Sequence, residues 1–293
     1  MNKVVSNELM EVKRYFQKQL SVLLGVRECQ LYFESCCASF LKLAKADLIL
    51  AKDMRLSESE VLQFFDAIKA FEGHVPLAQV IGQQYFYGLE LQVDSSVLIP
   101  RPETEELVDL IVKECSNAKR VLDIGTGSGC IALAIKSVMK TADVTGIDIS
   151  KSALTVAQQN AKTLQLEVPF LHYDALILNE SQAGELLNEK WDVIVSNPPY
   201  IPMAEKQGMD ANVVMHEPGI ALFVPDNDPL LFYRTIAQWA INALRANGKL
   251  YFEIHENYGK EMVRLLEQIG FAFVRLLKDL QGKNRIISAE IIR

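Results

Sequence analysis

Residues 120–148 run from an apolar stretch, Arg120-Val121-Leu122-Asp123-Ile124, through Gly125-Thr126-Gly127-Ser128-Gly129 into a second apolar stretch at 130–139, and then to Asp143-Val144-Thr145-Gly146-Ile147-Asp148. The order strand, glycine loop, helix, strand constrains the fold more than any other feature of the chain. Glycines permit the tight turn and let a ligand approach where a Cβ would collide. Asp148 ends the second strand about twenty residues past the loop, where a carboxylate can accept from ribose hydroxyls. A nucleoside ligand fits this arrangement, and a glycine-rich turn with no ligand is the plain alternative. Cys130 stands where the dinucleotide fingerprint wants its third glycine, so the pattern is Gly-x-Gly-x-Gly. Asp123 would face a pyrophosphate unfavourably, whereas a carboxylate there suits a ligand with sulfonium and ammonium groups. S-adenosyl-L-methionine is such a ligand.

A second motif follows the apolar strand Trp191-Asp192-Val193-Ile194-Val195-Ser196. Asn197-Pro198-Pro199-Tyr200 suggests a pocket for a flat amide. The Asn197 side-chain carbonyl can accept from a substrate NH2, the proline pair fixes the backbone carbonyls, and Tyr200 offers an aromatic face. The bland reading is an ordinary proline turn with an aromatic packed behind it.

At 293 residues the chain is long enough for one large or two ordinary domains, and such a chain buries about 75% of its unfolded surface. The net charge of -7 and scattered Lys and Arg argue against a protein that grips naked nucleic acid by its phosphates. Five cysteines (Cys29, Cys36, Cys37, Cys115, Cys130), odd in number and without Cys-x-x-Cys spacing, read as reduced thiols of a cytosolic protein. No metal site is expected. Met1-Asn2-Lys3-Val4-Val5-Ser6 leads into an amphipathic stretch, which supports neither a signal peptide nor a membrane span.

Before about Ile81 the pattern is helical. Leu9, Val12, Phe16, Leu20 and Leu23 repeat at helical spacing, as do Leu31, Cys37, Phe40, Leu41 and Ala44. Ser57-Glu58-Ser59-Glu60 is a capping box that opens a third helix with Val61, Leu62, Phe64, Phe65 and Ile68, closed by Gly73 and Pro76. Residues 83–97, aromatic and β-branched and broken at Gly88, read as a hairpin. Ile99-Pro100-Arg101-Pro102-Glu103-Thr104 is stiff and extended, a candidate wall of the active site, with Thr104 as the cap of a helix from Glu105.

Past Asp148 the alternation continues: helix 151–166, strand 168–173 ending at Asp174, the strand before Asn197, helix 230–244, strand 249–254, helix 260–269, and strands at 271–277 and 285–292. Alternation of this kind implies a mainly parallel sheet covered on both faces, with ligands at the carboxyl ends of strands. Gly125, Asp148, Asp174 and Asn197 all fall at such ends, converging on one rim. Asp174 reads equally as an adenine contact or a solvated loop acid.

These residues resemble the N5-glutamine methyltransferases that modify peptide chain release factors, over nearly the whole chain. The resemblance rests on Leu98-Ile99-Pro100-Arg101-Pro102-Glu103-Thr104-Glu105, on residues Asp123 to Ala134, on Ser196-Asn197-Pro198-Pro199-Tyr200-Ile201, and on His216-Glu217-Pro218 with Ala221-Leu222-Phe223. It implies a class I S-adenosyl-L-methionine-dependent methyltransferase, Rossmann-like with a seven-stranded mostly parallel sheet whose last strand is antiparallel. It further implies a helical bundle at 1–82 that docks the release factor, a hairpin linker at 83–98 and a methyltransferase domain at 99–293. The family pattern puts cofactor contacts on Gly125, Thr126, Gly127, Ser128, Gly129 and Asp148, with Asp174 and Asn197 beside them. It puts substrate amide contacts on Asn197, Pro198, Pro199 and Tyr200. Some members carry a tryptophan after the acid that aligns with Asp174, where this chain has Ala175. Asn197 and Pro198 would accept the two amide hydrogens, with Tyr200 stacked on the amide plane. The expected state is a cytoplasmic monomer with release factors as its protein substrate and no direct nucleic acid or membrane partner. Two other readings stand beside it: a related enzyme acting on a ribosomal protein glutamine or an exocyclic base amine, and a non-catalytic or redox nucleotide-binding module.

Overall fold

The computed structural model describes residues 6–178 and 189–292, so residues 1–5, read above for a leader, lie outside the described residues. The chain divides into two compact units: residues up to Gly82 together with Asp210–His216, and Gln83–Met209 together with Glu217–Arg293.

The first unit is helical: Leu9–Leu24, Val26–Leu41, Asp47–Leu50, Glu58–Glu72 and Leu77–Ile81, joined by the distant helix Ala211–His216. Gln79 Nε2 donates to the His216 carbonyl at 2.9 Å, and the His216 ring bonds the Gly73 carbonyl at 2.7 Å. The capping box forms as read: Ser57 Oγ accepts from Glu60 N and Glu60 Oε2 accepts from Ser57 N. The core combines Leu9, Val12, Phe16 and Leu20 with Phe33, Phe64 and Phe71. The phase of the second helix differs from expectation. It buries Cys29, Phe33, Cys36 and Cys37, positions that share a helical face, while Leu31 lies two residues off that face and is 55% exposed. Ala44 falls past the end of this helix, and Leu23 and Leu62 face outward. All five cysteines are free. Burial pushes the Cys29, Cys36 and Cys37 thiols up, which makes them packing groups rather than nucleophiles.

The second unit opens with a hairpin, β1 (Gln83–Phe86) and β2 (Leu89–Gln92), turned by Tyr87 and Gly88 at φ 49° and 77°. The hairpin is tied down by Asn160 on helix Lys151–Leu164: its side chain accepts from Gln92 N at 2.7 Å and donates to the carbonyls of Gln92 and Ser128. Next come β3 (Arg120–Ile124), β4 (Asp143–Asp148), β5 (Phe170–His172) and β6 (Trp191–Ser196). The short pair β7 (Ile201–Pro202) and β8 (Phe223–Val224) follows, and then β9 (Leu244–Glu253), β10 (Ala272–Lys278) and β11 (Asn284–Glu290). Seven strands make one sheet in the order β10-β11-β9-β6-β3-β4-β5. Neighbours from β9 to β5 are parallel, and β11 runs antiparallel between β9 and β10. The expected class I methyltransferase sheet is therefore present, with the last strand reversed. Two apolar layers cover it, one built on helices Pro102–Glu114, Cys130–Val138 and Lys151–Leu164, the other on Leu231–Ala243 and Gly259–Ile269.

One helix start is corrected. The helix after the proline segment begins at Pro102, with Arg101 as its cap residue, so Thr104 lies inside the first turn and is buried. Proline suits the first helical position because the missing N–H would have been unpaired there. The Thr104 hydroxyl is engaged elsewhere.

Candidate active site

β3, β4 and β6 are parallel neighbours with Ile124 level with both Ile147 and Ser196. Their carboxyl ends therefore stop together and deliver Gly125, Asp148 and Asn197 to a common rim. A cleft of about 240 Å³ opens there. Its wall is largely apolar, with Ile124, Ile147, Ile149, Leu176, Phe232 and Ile236 prominent. Of the residues singled out in the sequence, Gly125, Gly127, Asp148, Asp174, Asn197, Pro198 and Pro199 line the cleft. Thr126, Ser128, Gly129 and Tyr200 are not part of its lining.

Thr126, Ser128 and Gly129 build the loop. Thr126 and Ser128 are buried, and Gly129 has φ +81° with space beside it so tight that a Cβ would lie 3.0 Å from Phe170. The loop spends its own donors. Gly125 N and Thr126 N both donate to the Ile147 carbonyl at 2.9 Å, and Gly129 N donates to the Thr126 carbonyl at 2.8 Å. Gly127 N donates to Asp148 Oδ2 at 2.9 Å, and Ser150 N donates to Asp148 Oδ1 at 2.8 Å. A phosphate cradle needs open amides at a helix N-terminus. Here the chain's own acceptors occupy the amides of Gly125, Thr126, Gly127 and Gly129.

Asp123 departs from expectation. Its carboxylate points into the loop and not at the cleft: Oδ2 accepts from Thr126 Oγ1 at 2.6 Å and from Ala132 N at 3.3 Å. It sits at the positive end of helix Cys130–Val138, the place where an anion would otherwise bind. Burial pushes this carboxyl up to about 7, against the pull of the Thr126 and Ala132 hydrogen bonds. Burial also raises Asp148, opposed by the amides of Ser150 and Gly127.

At the far side, Asp174 Oδ1 accepts from Leu176 N at 2.8 Å and holds a short 3-10 turn, Ala175–Ile177. Ala175 and Leu176 line the cleft beside it. Ile149 and Leu176 thus supply apolar surface where the side chain of residue 175 is small.

The Asn197 end rests on a buried polar cluster. Asn197 Nδ2 donates to Thr104 Oγ1 at 3.4 Å, Thr104 Oγ1 donates to Glu253 Oε2 at 2.6 Å, and the Tyr200 hydroxyl donates to Glu253 Oε1 at 3.2 Å. Tyr200 therefore turns its hydroxyl to Glu253, and its ring meets His255 in a T-shaped contact at 5.9 Å between centroids. Burial and the neighbouring Glu253 push its phenol up. Burial likewise raises Glu253, while Thr104, Arg285 and Tyr200 oppose it.

Of the motif that begins at Leu98, only Leu98 itself lines the cleft; sequence reasoning missed Ser96 and Val97, which line it in place of residues 99–104. That segment is anchored by Glu217, which accepts from Ile99 N at 3.0 Å and pairs with the Arg101 guanidinium. Pro218 and Ala221, which belong to the resemblance but were given no site role, also line the cleft, as do Ile220 and Phe232, whose apolar character carries no local signal of a site. Gly146 was read only as a strand residue, yet a Cβ there would lie 2.6 Å from Phe170 and 2.7 Å from Thr126 Oγ1. Its bare backbone lets both pack beneath the loop.

Residues 102–222 match the family described as Methyltransferase small domain. The chain is 40% identical to a release factor glutamine methyltransferase of Flavobacterium psychrophilum, over 95% of this chain and 98% of that one. It is 41% identical to the protein of that name from Bacteroides thetaiotaomicron, again over 95% and 98%. A solved methyltransferase from Pyrococcus furiosus aligns with a TM-score of 0.51 at 15% identity, covering 78% of this chain and 99% of that one, a likeness of fold alone. Such identity across nearly the full length of both relatives, on a sheet and rim of this kind, places the chain in the family of release factor glutamine methyltransferases.

Proposed function

We propose that the protein transfers a methyl group from S-adenosyl-L-methionine to N5, the side-chain amide nitrogen, of the glutamine in the Gly-Gly-Gln motif of peptide chain release factors. One observation carries this reading: Asn197, Pro198 and Pro199 line the same cleft as Gly125, Gly127 and Asp148. The names of the relatives support the release factor as substrate.

The residues present fit the cofactor. The cleft offers acceptors and apolar walls, and the amides of Gly125, Thr126, Gly127 and Gly129 are already paired, which suits a nucleoside ligand that carries positive charge and no phosphate. Gly125, Gly127 and Asp148 would hold the nucleoside, with Asp174 as a further acceptor and Ile149 and Leu176 against the base. When bound, S-adenosyl-L-methionine supplies an electrophilic methyl group on a sulfonium centre.

A carboxamide nitrogen is a poor nucleophile because its lone pair is delocalised into the carbonyl. Asn197 Oδ1 and the Pro198 carbonyl accept its two hydrogens, which favours pyramidal nitrogen and aims the lone pair into the cleft. The proline pair holds both acceptors without reorganisation. One amide proton becomes acidic as nitrogen forms its new bond, and it leaves to solvent. No strong base is called for.

The helical unit would dock the release factor, the hairpin would link the two units, and one copy of the chain holds every residue named. Val22, Val26, Leu31, Ile49, Leu50 and Leu62 are exposed apolar side chains on that unit, available to a protein partner. Among the described residues no helix is long and apolar enough to cross a membrane, and the reaction belongs in the cytoplasm, where release factors act.

Methyl-labelled cofactor incubated with purified release factor should label the factor, and replacing the glutamine of its Gly-Gly-Gln loop should abolish labelling. Added duplex DNA should neither compete nor acquire label. Label on DNA, or on the glutamine-replaced factor, would overturn this substrate in favour of another amine or amide.

A further inference from the structure

Behind Asn197 lies a chain of buried polar groups that the transfer itself does not touch. Thr104 and Glu253 are each 2% exposed, and they come from the first turn of helix Pro102–Glu114 and the end of β9. We propose that they are positioning residues that decide which way the Asn197 carboxamide faces, and so make the site select a primary amide. The inference rests on the function proposed above and deepens it.

Hydrogen counting fixes the orientation of Asn197. A threonine hydroxyl has one hydrogen and two lone pairs, and a carboxylate only accepts. Thr104 Oγ1 gives its hydrogen to Glu253 Oε2 at 2.6 Å, a short bond of the charge-assisted kind. Only lone pairs remain on Oγ1 for its second neighbour. Asn197 must therefore present its NH2 to Thr104, as it does at 3.4 Å. The reversed amide would set oxygen against oxygen. With Nδ2 turned inward, Oδ1 is left to the substrate side.

An acceptor fixed at that position pairs with the NH2 of glutamine. It meets the carboxylate of glutamate as a second acceptor, an unpaired and repulsive contact. Tyr200 supports the device from the other side, since its hydroxyl fills the remaining oxygen of Glu253 at 3.2 Å. Both oxygens of the carboxylate are thus engaged. Selection of the amide thus begins two residues away from the substrate, at a carboxylate that never contacts it.

The test uses the intact enzyme, S-adenosyl-L-methionine and full-length release factor. Thr104→Val keeps the shape and removes the hydroxyl, and kcat should fall about tenfold, the scale of one hydrogen bond lost to a charged network. Cofactor affinity, read from the cofactor-induced shift in melting temperature, should stay within about twofold. Thr104→Ser retains the hydroxyl and should keep kcat near wild type. The deciding arm is the double variant: Asn197→Ala with Thr104→Val should be no slower than Asn197→Ala alone, because Thr104 acts only through Asn197. Losses that multiply, or a tenfold loss in Thr104→Ser, would overturn the relay. Wild-type enzyme that fails to label release factor would instead overturn the proposed function, so the two failures are distinct.

Discussion

Asp123 shows what a single residue contributes when its charge has no outlet. It is wholly buried, Oδ1 has no hydrogen-bond partner among the described residues, and Asp148 adds repulsion to the cost of burial. Its carboxyl ionises at about 7 in the folded chain against an ordinary value of 3.8. A raised acid of this kind contributes stability that is complete below 3.8 and is lost as pH rises through about 7. Asp123→Asn removes that titration and relieves the repulsion with Asp148. The melting temperature of the variant, measured without ligand, should therefore gain on wild type as pH rises from about 4 to about 7 and level off above that. A gap that stays constant with pH would contradict the assignment. At this scale the sequence was legible where function follows from position at a strand end, as for Asp148 and Asn197. It was not legible where a side chain's role depends on a partner far along the chain. Tyr200 and Thr104 both answer to Glu253, 53 and 149 residues away, and no local pattern announces such a meeting.

Elements were legible to the extent that periodicity and end signals agreed. The capping box at Ser57 states its helix start in four residues, and the structure keeps it. In the proline segment two start signals compete, Pro102 at the first helical position and Thr104 as a cap, and tertiary bonding to Glu253 decides for proline. The helix Val26–Leu41 carries apolar groups on more than one face, so spacing alone could not tell Leu31 from Phe33. Within β4, Gly146 marks where an element gives way to its neighbours. Gly146→Ala forces Phe170 or Thr126 to shift, and overpacking of this kind costs about 1–3 kcal/mol. Urea denaturation should show that loss, with a weakened cofactor-induced shift in melting temperature because Thr126 braces the glycine loop. An unchanged denaturation midpoint would mean that the packing below the loop relaxes freely.

At the scale of the whole molecule, alternation of strand and helix was enough to read the parallel sheet and its rim. It gave no hint that Asp210–His216 belongs with the helical unit, because that attachment depends on Gln79 and Gly73, far back in the sequence. The helical unit also carries the clearest prediction about the partner. Val22 and Val26 are 94% and 76% exposed, so charge there leaves stability within about 0.5 kcal/mol. Val22→Asp combined with Val26→Asp should raise KM for intact release factor about tenfold, a loss typical of a contact at the centre of an interface. Turnover of a short Gly-Gly-Gln peptide, which has no body to dock, should be unaffected. Equal KM for the intact factor would move docking off this face. The pre-paired amides of the glycine loop have a consequence in the crowded cell. ATP and NAD share an adenosine half with the proposed methyl donor and far outnumber most proteins. Their polyphosphate tails find the amides of Gly125, Thr126, Gly127 and Gly129 already taken and the Asp148 carboxylate lining the cleft. Hydrogen bonds the chain makes with itself thus disfavour the commonest adenosine carriers at this loop.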